Sequence, residues 1–393
     1  MEQIVNIGVV GIGNMGSAHG MSLYKNKVKG CKLAAVCDSD EKRLQWAKSN
    51  LKGVKCFNDY HELINSGIVN AIVVATPHPM HPVIVEEACK NGIHVLTEKP
   101  AGVDVKTVAQ MNQVAKESGV VFSIMYNQRT NPLYKELRRV FQNGDLGQLV
   151  RFNWIINNWY RTDAYYASGD WRATWDGEGG GVLMNQCPHN LDIWQWITGM
   201  PIRIRAFCHK GLFHPIDVED SAEIFAEYEN GAVGIFQTST GEYPGTNRME
   251  ISGTRGKAVI ENGKLTITLL KEDLMEYTKN SKEFMPKIDV DERTIIQEEP
   301  ESAHIGILQN FSNAIRKGEP LLSPGEEGIY GLSLANAAYL SWWKNDFVNL
   351  PLDEDEYLHF LQSIKNSNHE KHIKTLCEYG SYGEYSNRWK VKW

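Results

Sequence analysis

Lys99 follows an apolar run, Ile93 to Leu96, and sits between Glu98 and Pro100. The run reads as a buried strand, and a lysine at its end projects into the crevice where open α/β sheets bind ligands. The proline holds the lysine backbone extended. An ammonium fixed there can stabilise an alkoxide as it forms. A second group, Gly11-Ile12-Gly13-Asn14-Met15-Gly16, lies between another apolar strand and a helix. In that context it is a dinucleotide signature. Gly11 permits the tight turn, Gly13 admits the pyrophosphate and Gly16 lets the helix pack on the sheet. The helix N-terminus then offers its amides and positive dipole end to the phosphates. A third group is Asn185, His189 and Asp192, spaced i, i+4, i+7 on a helix read from Val182 to Ile197. That spacing puts all three on one helix face. Oxidising an alcohol needs a base of near-neutral pKa, a cation beside the alkoxide and a nicotinamide to take the hydride. On residues alone, a solvated strand-end lysine and a solvent-facing polar stripe remain open.

These groups need elements to hold them. The first 126 residues alternate short apolar strands with helices: Val5–Val10, Lys32–Cys37, Ala71–Ala75, Ile93–Leu96 and Val120–Met125 as strands. Helices are read at Ser17–Tyr24, Glu41–Ser49, Pro82–Lys90 and Val105–Glu117. That pattern implies a parallel sheet covered on both faces. After a helix at Leu133–Phe141 the signals become β-rich, with turns such as Glu229-Asn230-Gly231 and Glu261-Asn262-Gly263. These predict a mainly antiparallel sheet. Residues 273–301 read as a loop, and helices return at Ile305–Arg316 and Glu326–Trp343. From Asn345 the chain reads as an extension ending in the basic, aromatic Asn387–Trp393.

The second strand ends near Asp38, about the expected distance after the glycine turn. A carboxylate there accepts bonds from adenosine ribose hydroxyls and repels a 2′-phosphate. No arginine follows it directly, the nearest being Arg43, so the pattern favours NAD over NADP.

Composition bounds the rest. The 393 residues are 42% hydrophobic and 23% charged, with 41 basic and 48 acidic side chains and a net charge of −7. The acidity argues against a nucleic-acid surface. No run of eighteen apolar residues predicts a membrane span, and no metal site is expected. Strand Val5–Val10 begins too early for a signal peptide. Seven cysteines without a C-x-x-C pair suit free thiols in a cytoplasmic protein.

With the glycine signature and Glu98-Lys99-Pro100 together, the chain resembles the oxidoreductase family named for glucose–fructose oxidoreductase, inositol dehydrogenase and a rhizopine-catabolism protein, the Gfo/Idh/MocA family. The resemblance runs from Met1 to about Trp343. It implies a fold of the α/β plus α+β class. A Rossmann dinucleotide-binding domain would span 1–126, an open, mainly antiparallel sheet domain 127–343, and an extension 344–393. Glu98-Lys99-Pro100 matches the family's Glu-Lys-Pro motif, which makes Lys99 the alkoxide stabiliser. His19, Thr76-Pro77, His78 and His81 match family positions around the nicotinamide ribose and ring. Asn127 and Arg129 match an Asn-x-Arg segment at the domain crossover. His189 matches the family histidine that serves as base. Asn185 stands four residues earlier, where the family usually has aspartate. An amide can bond a hydroxyl but cannot relay a proton, so the proton route falls to His189. Asn185→Asp reads as a tolerated return to the family residue.

The stretch from Trp159 to Trp175 is dense in aromatics and arginine. Rings there can stack on pyranose faces, with Arg161, Tyr166, Trp171 and Arg172 as pocket candidates against a packed patch or subunit interface. The expected activity is NAD-dependent oxidation of a secondary ring hydroxyl of a sugar, glycoside or cyclitol, with C3 of a glucoside as one candidate position. Redox-neutral glycoside cleavage through a 3-keto intermediate, alone or with a partner protein, and a non-catalytic sugar or nucleotide sensor are the rivals. A homodimer or homotetramer built on an open sheet face is expected.

Overall fold

The computed structural model describes residues 4–285, 287–297 and 302–367. Six short strands form the first sheet: β1 (Val5–Val10), β2 (Cys31–Cys37), β3 (Lys55–Phe57), β4 (Ala71–Val74), β5 (His94–Thr97) and β6 (Phe122–Ile124). Their order is β3-β2-β1-β4-β5-β6, and every pairing is parallel. β4 is apolar and buried throughout, and β1 is buried at every position but Asn6, as strands covered on both faces must be. Three of the helices between them, Glu41–Asn50, Tyr60–Asn65 and Val105–Ser118, start on aspartate caps. Asp40 accepts from Lys42 N, Asp59 from His61 N and Asp104 from Thr107 N, each satisfying an amide that the helix itself leaves unpaired.

The chain order reverses between β1 and β4. The loops after these two strands therefore diverge and open the crevice in which such sheets bind ligands.

The second sheet has nine strands: β7 (Leu149–Ile156), β8 (Arg203–Lys210), β9 (Glu219–Glu227), β10 (Val233–Ser239), β11 (Asn247–Gly253), β12 (Gly256–Glu261), β13 (Lys264–Leu270), β14 (Val290–Ile296) and β15 (Val348–Asn349). The order is β14-β13-β12-β11-β7-β10-β9-β8-β15. All pairings are antiparallel except β7 with β10. One face packs on the helix Pro188–Thr198, where Trp194 stacks on Phe152 at 5.1 Å and on Phe236 at 5.8 Å. The other face carries Ile235, 37% exposed, and Phe207, 53% exposed.

Several expectations are corrected. The stretch read as a loop at 273–301 contains a helix, Leu274–Asn280, and β14. The single helix read from Val182 to Ile197 is two, Val182–Asn185 and Pro188–Thr198. Pro188 supplies no N–H and its ring excludes a continuous ladder. Beyond Asn345, a helix at Glu354–Asn366 buries Tyr357 and Leu361 against the core, while Asn387–Trp393 lies outside the described residues. The helix Ala303–Lys317 returns to the first sheet, where Ile307, Leu308 and Phe311 pack with Val5, Ile7 and Val9. Among the described residues no helix is long and apolar enough to cross a membrane, and six cysteines are free thiols.

Candidate active site

The glycine loop leaves β1 and enters the helix Asn14–Tyr24, which starts inside the motif at Asn14. Gly11 has φ +82°, and a Cβ on Gly16 would lie 1.7 Å from the Gly11 carbonyl oxygen. Neither position admits a side chain. No side chain caps this helix and no acid lies in its first turn, so its first-turn amides, which a helix leaves without an internal partner, have no side-chain cap. At the end of β2, Asp38 accepts from Ile12 N at 2.8 Å and from Asp40 N at 2.9 Å. That fixes the carboxylate beside the loop. Arg43 folds back to the Ile12 carbonyl at 3.4 Å and to Asp40 at 3.6 Å. Past β4 and β6, Thr76 Oγ1 and Asn127 Oδ1 are buried with no protein partner. Buried polar atoms are ordinarily paired. A closed loop, an uncapped helix end, an acid at the second strand and two waiting polar atoms fit a dinucleotide.

The double substitution Asp38→Ser with Ser39→Arg is expected to shift preference from NAD toward NADP by about tenfold or more. It removes a like charge from the 2′-phosphate and adds a cation. Titration of intrinsic fluorescence with NADH and NADPH reads the ratio; a wild type that already prefers NADPH would refute the assignment of Asp38.

Lys99 leaves β5 on the same side of the sheet. Its Nζ donates to the Asn185 carbonyl at 2.9 Å, so the strand end of the first sheet is tied to the segment that carries His189. Burial lowers the lysine pKa, opposed by Glu98 and Glu178. Glu98 Oε1 lies 2.7 Å from His19 Nε2, and its Oε2 accepts from Lys99 N at 3.2 Å. Burial, the largest single influence, would raise the Glu98 pKa, but the His19 hydrogen bond and the charges of His19, His304 and Lys99 together outweigh it and bring it to about 2. His189 is 6% exposed. Burial first, then the Lys99 charge, push its pKa well below the ordinary value. It is the neutral imidazole at neutral pH, the form that can accept a proton.

Asn185 caps this arrangement. Its Nδ2 donates to Glu178 Oε1 and lies 3.2 Å from the Tyr165 hydroxyl. Arg172 donates to the same hydroxyl at 2.9 Å and lies 3.5 Å from Glu178. His78 Nδ1 donates to the Glu178 carbonyl at 2.8 Å, and Trp171 meets the His78 ring edge-on at 5.6 Å. Lys99, Asn185, His78, Trp171 and Arg172 are thus brought together as expected. Arg161 reaches the same wall, its guanidinium 5.0 Å from the Tyr165 ring.

Three expected contacts lie elsewhere. Arg129 has no exposure. It pairs with Asp192 at 2.6 Å and with Glu327, so both Arg129 and Asp192 belong to a core ion cluster rather than the pocket. Tyr166 is 4% exposed, its hydroxyl 2.8 Å from Thr240 Oγ1, behind the pocket wall. His81 is fully buried with its two ring nitrogens 2.8 Å from the Pro100 and Thr76 carbonyls. It ties two loops together and has no nitrogen left for a cofactor.

Conversely, the sequence does not mark out Glu178, Tyr165, His304 or Gln186, whose Nε2 donates to the Tyr165 hydroxyl at 3.2 Å. A lone acid in the run Gly177-Glu178-Gly179-Gly180-Gly181 was the available signal, since a charge inside tightly packed glycines must be paired. His304 lies 5.6 Å from the His19 ring, and burial and His19 lower its pKa to about 4. Nothing in its sequence neighbourhood marks it.

Comparison with known proteins agrees with this geometry. Residues 5–126 match the model of the oxidoreductase family with an NAD-binding Rossmann fold, and residues 134–259 match the GFO/IDH/MocA C-terminal domain. A myo-inositol 2-dehydrogenase of Thermotoga maritima is 25% identical over 354 residues, covering 88% of this chain and 98% of its own. An NAD-dependent scyllo-inositol 2-dehydrogenase of Bacillus subtilis is 24% identical, over 86% of this chain and 94% of its own. The crystal structure of the WlbA dehydrogenase from Chromobacterium violaceum, in complex with NADH and UDP-GlcNAcA, superposes with a TM-score of 0.77. It is 25% identical and covers 90% of this chain and 98% of that one. A levoglucosan dehydrogenase, in complex with NADH and levoglucosan, shares the fold at a TM-score of 0.74 and 19% identity, over 89% of this chain and 100% of its own. With both family models matched in order, and the glycine loop, Asp38 and Lys99 in place around the crevice, the chain belongs to the GFO/IDH/MocA family of NAD-dependent oxidoreductases.

Proposed function

We propose that this protein oxidises a secondary ring hydroxyl of a sugar, glycoside or cyclitol. The observation that carries the reading is the Lys99 Nζ to Asn185 carbonyl bond, 2.9 Å long. It places a cation from the nucleotide-binding sheet against the segment bearing His189. The relatives named for inositols, and the fold neighbours bound to UDP-GlcNAcA or levoglucosan, support a polyhydroxylated ring as substrate.

Bound NAD supplies the hydride acceptor. In this reading, His189 takes the hydroxyl proton and Lys99 stabilises the alkoxide that forms. Asn185 accepts from a ring hydroxyl. Trp171 and Tyr165 offer apolar faces, and Arg161 and Arg172 bond the remaining oxygens. Incubation with NAD and a panel of myo-inositol, levoglucosan, glucose and aryl glucosides tests this. Steady NADH release on a member of the panel is expected. Aglycone release without net NADH would replace it by redox-neutral glycoside cleavage, and binding without turnover by a sensor.

A homodimer or homotetramer is part of the proposal. The outer face of the second sheet exposes Ile235 and Phe207, and apolar side chains on an uncovered sheet face favour association. Light scattering across micromolar concentrations should give a multiple of the 44.5 kDa chain mass; a monomer throughout would refute it.

A further inference from the structure

Asn185 stands between a buried acid and Lys99, and these surroundings supply a physical reason for an amide there. Glu178 is 1% exposed. Its Oε2 accepts from Ala173 N at 2.7 Å, and its Oε1 accepts from Asn185 Nδ2. An ionised carboxylate only accepts. The side-chain amide of Asn185 must therefore turn its nitrogen to Glu178, which leaves Oδ1 pointing away from it. The backbone carbonyl of the same residue holds Lys99. One asparagine thus couples a buried acid, a catalytic cation and an acceptor atom.

We infer that Glu178 acts as a positioning residue, its buried negative charge dictating an amide at position 185 and turning Asn185 Oδ1 toward the substrate hydroxyl. This rests on the dehydrogenase reading for the identity of the hydroxyl, but not for the pairing.

The groups facing Glu178 come from several elements. Arg172 lies 3.5 Å away. The charge of Lys99 acts on it from beyond the end of β5, His78 donates to its carbonyl, and Tyr165 bridges Arg172 and Asn185. Burial raises the Glu178 pKa, opposed by Arg172, the Ala173 amide, Asn185 and Lys99. A second carboxylate at 185 would sit directly against it. Two buried carboxylates in contact cannot both ionise cheaply. An aspartate at 185, far from being tolerated, is therefore the wrong residue for this chain.

The test compares Asn185→Asp, Glu178→Gln and the double variant in the full chain. In the double variant the new amide's oxygen can accept from Ala173 N while its nitrogen donates to the new carboxylate. The bonds between residues 173, 178 and 185 are restored with the charge moved, and only the Arg172 pair at 3.5 Å is given up. In Glu178→Gln alone, Asn185 is free to invert and offer a donor where an acceptor belongs. Melting temperature with saturating NADH is read from pH 5 to pH 8.

The carboxyl pair in Asn185→Asp has a folded pKa above the unfolded value of about 4. Its stability is therefore intact at low pH and lost as pH rises through the folded pKa. Asn185→Asp should fall by several degrees relative to wild type over this range, while the double variant should run parallel to wild type. Each single variant should lose about a hundredfold in kcat on the best member of the polyol panel, and the double should recover at least about tenfold.

Parallel melting of Asn185→Asp and wild type, or a double variant that melts like Asn185→Asp, would overturn the pairing. Failure of Asn185→Asp to fold at pH 8, cured by adding Glu178→Gln, supports it; failure of both does not and overturns it. Near-native kcat for Asn185→Asp would overturn the positioning role. If wild type turns over no polyol, the dehydrogenase reading falls, and the melting series still decides the pairing.

Discussion

Lys99→Ala is expected to lower turnover about a hundredfold or more while NADH binding and melting temperature stay close to wild type. The lysine lies at the strand end where the crevice opens, away from the glycine loop that would hold the pyrophosphate. Its Nζ makes one bond to protein, to the Asn185 carbonyl, so its removal costs little packing. What it provides is a fixed charge in a partly buried site, where electrostatic stabilisation of developing negative charge is strongest. Losing one such group commonly costs a hundredfold to a thousandfold in rate. Turnover on the best polyol substrate, with NADH affinity from fluorescence, separates the two quantities. Near-native turnover would place the reacting hydroxyl elsewhere.

The converse holds for Arg129. Arg129→Ala is expected to destabilise the fold by about 3–5 kcal/mol, as breaking a buried ion pair does, while the folded fraction keeps its KM. The guanidinium pairs with Asp192 at 2.6 Å and with Glu327, and the rings of Tyr126 and Trp196 flank it at 5.5 and 5.3 Å. Burial works against its charge, but Asp192 and Glu327 outweigh burial and hold its pKa above the ordinary value. Removing it strands Asp192, which has no exposure. Urea unfolding measures the loss. The paired replacement Arg129→Met with Asp192→Leu should recover much of it, because the stranded charge is gone. An unchanged urea midpoint together with a raised KM would return Arg129 to the substrate pocket.

The contrast between Lys99 and Arg129 marks where the sequence stops informing. β1, β4, β7 and β13 are legible because each is a run of apolar or alternating residues between turn signals. The glycine loop and Asp38 are legible because their spacing follows from the strand–turn–helix geometry. Lys99 and His189 needed the family motif to lift them above an ordinary lysine and histidine. Arg129 was misplaced because its partners are 63 and 198 residues away, a distance that local patterning does not span. Tyr166 was preferred to Tyr165 because nothing local tells which of two adjacent rings faces the crevice. β14 was missed because nearly all of its side chains are exposed, so no buried face imposes an alternation. β3 is only Lys55-Cys56-Phe57, too short to register a period. The polar stripe from Asn185 to Asp192 assumed one straight helix, and Pro188 broke it.

The helix Ala303–Lys317 closes the first sheet with side chains made long after that sheet is complete. Val5, Ile7 and Val9 leave the ribosome among the earliest residues of the chain, yet Phe311 emerges near its last quarter. Throughout that interval the nascent nucleotide-binding half carries one apolar face only partly covered, by the helices Asn14–Tyr24 and Glu41–Asn50, the kind of surface that aggregates or is held by chaperones. The same discontinuity governs recombination between relatives: a chimera cut only at the end of β6 inherits a sheet whose cover was tailored to another sequence, whereas one that also exchanges residues 303–317 moves the whole folding unit.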